Sequence, residues 1–492
     1  MRQFACVICL AGTGCFYCMS AAAAEPADTK VVLDLEQCIA EAYGNHPRMV
    51  QAKASSRAAK ARKSQARAGY LPRIDAEARW QRLDEEPSID VGLPNSLREA
   101  MIDAAAMNLY ARTVGDLGSA FPGGGLPANA LYTSIRDAVE AQAPGAVRVP
   151  LSGREVRTAA VTLRQPLFTG GKIHHRNRQA ALGVELAREG EDLTRHTLKL
   201  EVTRAYYGVA LGKDLIDVAE SSRKRLQVIV DITGDLYKVS HRATEMDFLK
   251  ARINLSKTEA VVALANKYHQ LALVQLKEAM GMELGTPLDI HAEHLVARPQ
   301  RRLVAGQCVT EALGSRAELR QAQLAARVEQ SGVSLARAEY APDISLFVRF
   351  HHISDNEGYR NPNDENQWVG GICGTLPIFS GFSRPAKVRE ARSRLRRAEA
   401  RAHEVRQLIA LEVRAALLEV DEKRESREAA RRAMDDAIAR NELAKSGYRH
   451  DMVDVEDMID AQFEELEARA AYLQAVYHYN VADAYVVKVL CR

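Results

Sequence analysis

Residues that usually announce chemistry or covalent bracing are scarce in this chain. Of its eight cysteines, Cys6, Cys9, Cys15 and Cys18 crowd the extreme N-terminus, and Cys38, Cys308, Cys373 and Cys491 lie far apart with no Cys-x-x-Cys pair. That spacing indicates neither a zinc site nor a disulfide framework. Aromatic residues make up only 6% while charged residues reach 27%, a balance that suits long interlocking helices better than a thick globular core. Charge of one sign is not in excess: the net value is +3 over 492 residues, so nucleic acid or another polyanion is not an expected partner. After the first two dozen residues no stretch approaches 18 consecutive apolar positions, which excludes a transmembrane helix. No nucleophile, base and acid fall into a catalytic arrangement, so neither enzymatic activity nor a cofactor is expected.

The first residues differ in kind from the rest. Arg2, an apolar run from Phe4 to Cys18 and the small residues Ala21 to Ala24 have the layout of a secretory signal peptide covering residues 1–24, with cleavage near Ala23 or Ala24. Cys15 and Cys18 lack a Leu three residues before them, as a lipid anchor would require. An exported chain without an apolar helix can still cross a bilayer as a closed β-barrel.

What the chain does contain is a duplication. Gln37 to Ile74 aligns without a gap on Gln307 to Ile344, an offset of 270 residues that superposes Gln37-Cys38 on Gln307-Cys308 and Tyr70-x-Pro72 on Tyr340-x-Pro342. The offset then becomes 211: Pro166-Leu167-Phe168-Thr169-Gly170 falls on Pro377-Ile378-Phe379-Ser380-Gly381, Glu201-Val202 on Glu412-Val413, and Tyr237 on Tyr448. Copy one therefore carries 59 additional residues between Trp80 and Pro166. The domain reading is a first structural repeat over residues 25–300 and a second over 301–492, each running helix, strand, loop, strand and long helical hairpin.

Four short segments alternate with period two. Ile74, Ala76, Ala78 and Trp80 share one face of the run Arg73–Arg82, opposite Asp75, Glu77, Arg79 and Gln81. Ile344, Leu346, Val348 and Phe350 alternate with Asp343, Ser345, Arg349 and His351 in the second copy. The return strands show Val161 and Leu163 against Thr162 and Arg164, and Trp368, Ile372 and Leu376 against Gly371, Cys373 and Thr375. Runs of about 9 or 10 residues suit a tilted crossing of a bilayer, and Trp80 with Phe350 would sit in an aromatic girdle. The flanking helices are too polar to cover the apolar faces, so these faces are expected to meet lipid. Four strands cannot close a barrel, and an open edge in lipid is costly, so the chain must oligomerise; three copies would supply twelve strands and leave a lumen.

Beyond Gly170-Gly171 no proline or turn cluster interrupts the chain until about Ser240, which predicts a helix of about 65 residues, or about 100 Å at 1.5 Å per residue. Its mate is expected from Ala386 to about Arg449. Heptad spacing appears at Leu186, Leu193, Leu200 and Tyr207, and at Leu395, Ala402, Ile409 and Ala416. Returning helices are expected over Thr244–Met280 and Asp454–Val489.

With these features assembled, nearly all of the mature chain resembles the TolC family of trimeric outer-membrane efflux and secretion channels. The resemblance rests on Leu35-Glu36-Gln37 with Asn45-x-Pro47, the helix end Ala66-Arg67-Ala68-Gly69-Tyr70-Leu71-Pro72, the post-strand motif Gln165-Pro166-Leu167-Phe168-x-Gly170-Gly171 and its mate at Pro377–Gly381, and on their order and duplication. It implies a mainly α fold with a small membrane β portion: antiparallel coiled-coil helices forming a periplasmic α-barrel, continuous with a trimeric twelve-stranded barrel in outer-membrane lipid. It further implies a homotrimer that works as a passive exit duct, docking with a periplasmic adaptor and an inner-membrane pump or ABC transporter. The reading that stands beside it is a coiled-coil envelope tether that conducts nothing.

Carried over residue by residue, the family's aperture aspartates correspond to Asp457 and Asp460, which threefold symmetry would turn into acidic rings favouring cations. The closed-state latch corresponds to Asp247 and Tyr448, while the arginine of a second latch falls on Val453. The adaptor-contact tips correspond to Val239, Ser240, His241, His450, Asp451 and Met452; where the family shows Val-Gly-Leu, both glycines are missing here.

The insertion, residues 83–155 with its core at Leu83–Arg154, is expected at the outer end of the barrel. It is read as two helix-capable runs, Ser96–Ala111 and Tyr132–Ala143, around the loop Phe121–Pro127. His174-His175 and His351-His352 are adjacent pairs whose members point apart on a helix or strand, which argues against a metal site.

Overall fold

The computed structural model describes residues 31–120, 128–143, 145–150, 153–238, 244–291, 294–301, 303–355, 366–450 and 452–491. The expected leader, the loop 121–127, and Val239, Ser240, His241 and Asp451 lie outside them. In chain order the elements are β1 (Val31–Leu33), α1 (Leu35–Asn45), α2 (Pro47–Ala68), β2 (Arg73–Arg82), β3 (Ser88–Gly92), α3 (Asn95–Ala120), α4 (Ala128–Gln142), β4 (Ala146–Pro150), β5 (Glu155–Phe168), α5 (Lys172–Lys238), α6 (Glu245–Met280), β6 (Leu288–Ile290), α7 (Ala305–Ser315), α8 (Ala317–Ala338), β7 (Asp343–Asp355), β8 (Asn366–Thr375), α9 (Ser383–Arg449) and α10 (Val455–Val489). The two long helices α5 and α9 each contain 67 residues. Pro385 is tolerated at the start of α9 because a first-turn N–H has no intrahelical partner to lose.

The chain divides into two compact units. The first comprises the described residues of Met1–Lys60, Leu182–Arg327 and Arg396–Arg492. Its cores show the duplication in three dimensions. Cys38 and Ala42 of α1 pack with Val202 and Tyr206 of α5 and with Leu276, Ala279 and Met280 of α6. Their repeat mates do the same: Cys308 and Ala312 of α7 meet Val413 of α9, Val486 and Val489 of α10 and the capping Leu490. The two cysteines are thus packing residues, each behaving as a small buried hydrophobe. In copy one, Asp34 caps α1 through a reciprocal capping box with Gln37, at 2.7 and 2.9 Å. In copy two, Val304 occupies the N-cap and offers no side-chain bond.

The single first helix read from each copy is in fact two, α1 with α2 and α7 with α8. His46, extended at φ −62° and ψ 130°, separates the first pair immediately before Pro47. Arg316, at φ −72° and ψ 126°, separates the second pair without a proline. Gly281 ends α6 at φ +72°, where a Cβ would lie 2.6 Å from the His46 Cα, so only glycine permits this approach.

The second unit comprises Ala61–Ala181 and Val328–Leu395. It holds the antiparallel four-stranded sheet β2-β5-β7-β8. β5 and β7 run to 14 and 13 residues, longer than the alternation suggested, and Leu376 lies just beyond β8. Strand gives way to helix at an elbow of left-handed residues, Gly170 (φ +59°) and Gly171 (φ +85°) in copy one and Gly381 (φ +58°) and Phe382 (φ +61°) in copy two. A Cβ on Gly170 would overlap the Ala341 side chain, whereas one on Gly381 would meet nothing within 4 Å. Lys172, just past the elbow, is held to Asp343 at 2.6 Å.

The insertion contains more structure than expected. Besides α3 and α4, antiparallel β3 and β4 form a ribbon in which Ile89 pairs with Val149 and Val91 with Val147. The helices extend past the expected bounds, with α3 reaching Ala120.

Candidate functional site

Two sets of residues carry the functional expectations, one in each unit. In the sheet, register decides which side chains share a face. Ile74, Leu163, Val348 and Gly370 form one cross-strand row, and Ala76, Val161, Phe350 and Trp368 the next. Leu346 pairs with Ile372, and Ile344 pairs with Gly374 beyond a bulge between Pro166 and Phe168. Ala78 and Trp80 continue the same face along β2. All eleven residues expected on the apolar side are therefore brought together: Ile74, Ala76, Ala78, Trp80, Val161, Leu163, Ile344, Leu346, Val348, Phe350 and Ile372. Ile74, Trp80, Trp368 and Ile372 are 62–75% exposed, so the apolar face has no cover within the described chain.

Trp80 lies opposite Arg157 and Phe350 opposite Val161, so across the hydrogen bonds they stand four residues apart rather than level. Phe350 instead packs on Trp368, with ring centroids 5.0 Å apart. A further exposed aromatic group sits at the elbow, where Phe379 and Phe382 meet edge to face at 5.5 Å. The opposite face carries Arg73, Asp75, Glu77 and Arg79 of β2, Arg164 of β5 and Arg349 of β7. His351 and His352 fall on opposite faces, as adjacent strand residues must; His352 Nδ1 lies 3.0 Å from Asn366 Oδ1.

At the far end of the long helices, α5 finishes at Lys238 and α9 at Arg449, and α6 and α10 return from Glu245 and Val455. An apolar cluster of Leu226, Ile229, Val230, Ala251, Val455, Met458 and Ile459 holds these ends, with Phe248 and Tyr448 packed against it. Tyr237 stacks on Phe248 at 6.1 Å. Asp247 closes a capping box with Thr244: one carboxylate oxygen accepts from the Thr244 N–H at 3.0 Å and from its hydroxyl at 2.7 Å. These bonds, with a smaller contribution from Lys250, hold the Asp247 carboxyl below the usual carboxylate range. Of the two expected latch residues, Tyr448 borders this cluster, while Asp247 is engaged in capping its own helix. Val453, standing where a latch arginine was sought, packs on Gly447. His450 and Met452 are exposed, and the Gly447 carbonyl accepts from both of their N–H groups at 3.1 and 2.9 Å.

Asp457 and Asp460 are exposed one turn apart at the start of α10. Arg440 pairs with Glu464 and is held more firmly protonated by that contact and by the charges of Asp457 and Asp460. Glu456 is taken by Lys250 at 2.5 Å.

Sequence reasoning missed a buried polar cluster behind these acids. Glu465, nearly fully buried, accepts from Asn441 and, at 2.6 Å, from Arg469, with Arg225 at 3.7 Å. Burial alone would raise the Glu465 carboxyl, but the bonds from Asn441 and Arg469 and the charges of Arg225 and Arg469 outweigh it and lower its pKa.

The model of the outer membrane efflux protein family matches residues 136–282 and 308–490, more than half of the chain. The chain belongs to that family. Its fold is shared with a membrane protein from Pseudomonas aeruginosa (TM-score 0.70, 17% identity, 94% of this chain and 95% of that one). It is shared also with the CmeC outer membrane channel of Campylobacter jejuni (TM-score 0.69, 16% identity, 93% and 85%). Among curated proteins, Protein CyaE of Bordetella pertussis is 22% identical over 314 residues; the match spans 64% of this chain and 66% of CyaE. The family is one of outer-membrane efflux and secretion channels, and membership places this chain there: an outer-membrane channel protein with a β portion in the bilayer and a helical part in the periplasm.

Proposed function

We propose that three copies assemble into a passive exit duct of a tripartite efflux or type I secretion system, joined at the helical tips by a periplasmic adaptor and fed by an inner-membrane pump or ABC transporter. The observation that carries this reading is the open sheet with an exposed face on which apolar residues line up across all four strands, from Ile74 and Ala76 to Trp368 and Ile372. Its edge strands β2 and β8 present unpaired backbone groups, each costing several kcal/mol in lipid, and joining β8 of one copy to β2 of the next removes every such edge. Twelve strands give a barrel with a water-filled interior, lined by the polar face. The eleven apolar residues face lipid.

Exposed leucines along α9 (Leu408, Leu411, Leu418) and apolar residues along α6 (Ile253, Leu264, Leu271) supply surfaces for the neighbouring copies. Asp457 and Asp460 form the acidic aperture, Asp247 and Tyr448 stand at the closed-state contact between hairpins, and residues 239–241 and 450–452 meet the adaptor. A membrane tether would have no use for an apolar sheet face. Purified protein in a planar bilayer tests the reading: discrete single-channel steps are expected, and a protein that inserts without conducting would favour the tether.

A further inference from the structure

The polar face of the sheet is charged unevenly. On β2, Arg73 pairs with Asp75 at 2.8 Å and Arg79 with Glu77 at 2.9 Å, so these four charges cancel locally. Asp343 of β7 is taken by Lys172. Arg164 and Arg349 remain, both exposed, and among the described residues neither has an ion-pair or hydrogen-bond partner. They belong to the two central strands: Arg164 pairs with Phe347 and Arg349 with Thr162, which makes them diagonal neighbours on one face, about 7–8 Å apart at the Cα positions. β8 places Gln367, Val369, Gly371, Cys373 and Thr375 on that face and so brings no acid. Among the residues whose side chains are described, no further acid stands in register on that face.

We propose that Arg164 and Arg349 form an anion-attracting belt inside the barrel, and that the duct consequently favours small anionic solutes bearing carboxylate or phosphate groups. The placement in the lumen rests on the three-chain barrel above, in which the pair becomes six guanidiniums at one level. Guanidinium suits the task because its planar fork can take a carboxylate or phosphate through two parallel hydrogen bonds, while exposure to water keeps each contact weak enough to release. The belt and the acidic aperture have opposite signs and lie in different parts of the chain, so selectivity of the whole duct is set by two filters in series.

The test is tripolyphosphate block of single-channel current, with the anion added on the side opposite the helical tube. Wild-type channels are expected to be blocked, and Arg164→Gln/Arg349→Gln channels to need at least about tenfold more blocker, since one charge about 7 Å from a monovalent anion in water already changes its occupancy about threefold. The Arg164→Lys/Arg349→Lys channel keeps the charge and should keep most of the block. In wild type alone, raising salt from about 0.1 M to about 1 M, which shortens the screening length from about 10 Å to about 3 Å, should relieve the block, so the belt can be judged even where a variant fails to assemble. Conducting channels whose block is indifferent to salt, or equal in wild type and the glutamine variant, would overturn the belt alone. Protein that inserts without conducting overturns the duct and the belt together.

Discussion

Alanine at the two elbow glycines separates a conformational cost from a packing cost. Gly170 and Gly381 are repeat mates with almost the same backbone, φ +59° and +58°. An alanine at either must adopt a left-handed conformation, at about 1–2 kcal/mol. At Gly381 that is the whole cost, because its Cβ would meet nothing within 4 Å. At Gly170 the new methyl overlaps the Ala341 Cβ and comes 3.1 Å from the Ala338 carbonyl oxygen, adding the about 1–3 kcal/mol typical of overpacking. Gly170→Ala should therefore destabilise by about 2–5 kcal/mol and Gly381→Ala by about 1–2. Adding Ala341→Gly to Gly170→Ala should bring it back close to the Gly381→Ala level, because the atom it strikes is gone. Purified variants would be compared by the temperature at which the assembled species is lost on electrophoresis in detergent. Equal effects of the two alanines, or no recovery with Ala341→Gly, would refute the assignment of the elbow's asymmetry to this contact.

Other expectations concern the thiols, the cap, the buried acid and the aperture. Burial pushes the Cys38 thiol up to about 12, so it should resist thiol reagents until the protein unfolds. Cys373, exposed on the same sheet face as Arg349, should react with a membrane-impermeant maleimide in reconstituted vesicles; protection by lipid would reverse the assignment of faces. Thr244→Ala should cost about 0.5–2 kcal/mol by removing the α6 cap. Because the Asp247 pKa is depressed in the fold, its contribution is present above the unfolded value near 4 and is lost as pH falls through the lower folded value; the alanine variant should show a flatter acid limb in a pH titration of stability. Glu465→Gln should cost about 2–3 kcal/mol by weakening charge-assisted bonds, with faster hydrogen exchange in α10. The Glu465 pKa is also depressed, so this cost should be constant from neutral pH down to the unfolded value near 4.3 and shrink below it. Asp457→Ala with Asp460→Ala should lower cation over anion permeability in reversal-potential measurements, and unchanged selectivity would remove both from the aperture.

Much of this architecture was legible because periodicity and punctuation agreed. The bounds of β2, of the long helices and of the returns at Glu245 and Val455 lie within a few residues of what Pro, Gly and capping residues marked. Of the heptad seam expected in copy two, Ile409 and Ala416 are buried while Leu395 and Ala402 are only partly so, and in copy one Leu186, Leu193, Leu200 and Tyr207 are all only partly buried, with Leu198, Val202, Tyr206 and Val209 forming the inner line. The reason is that α5 is flanked on more sides than α9, so apolar residues are spread around it and periodicity alone does not pick the deepest row. The ribbon β3–β4 was missed because each strand shows only two alternations, Ile89 with Val91 and Val147 with Val149, too few to stand out. α3 runs past the expected end at Ala111 to Ala120, through Gly115 and Gly118. The relation of Asn441, Glu465 and Arg225 depends on helix pairing, which no local pattern encodes.

The paired bends at His46 and Arg316 have different authors. In copy one, Pro47 forbids a continuous helix by its covalent structure. In copy two no proline does so; the buried Arg316 side chain is held by Glu318, two residues on, at 2.6 Å and by the distant Glu412 of α9 at 2.5 Å. A synthetic peptide covering 305–338 should accordingly show uninterrupted helicity in solution, while one covering 35–68 should break on its own. One half of the molecule carries its hinge in its own covalent chain, and the other completes the same hinge through an ion pair to a distant stretch of chain that comes to rest beside it.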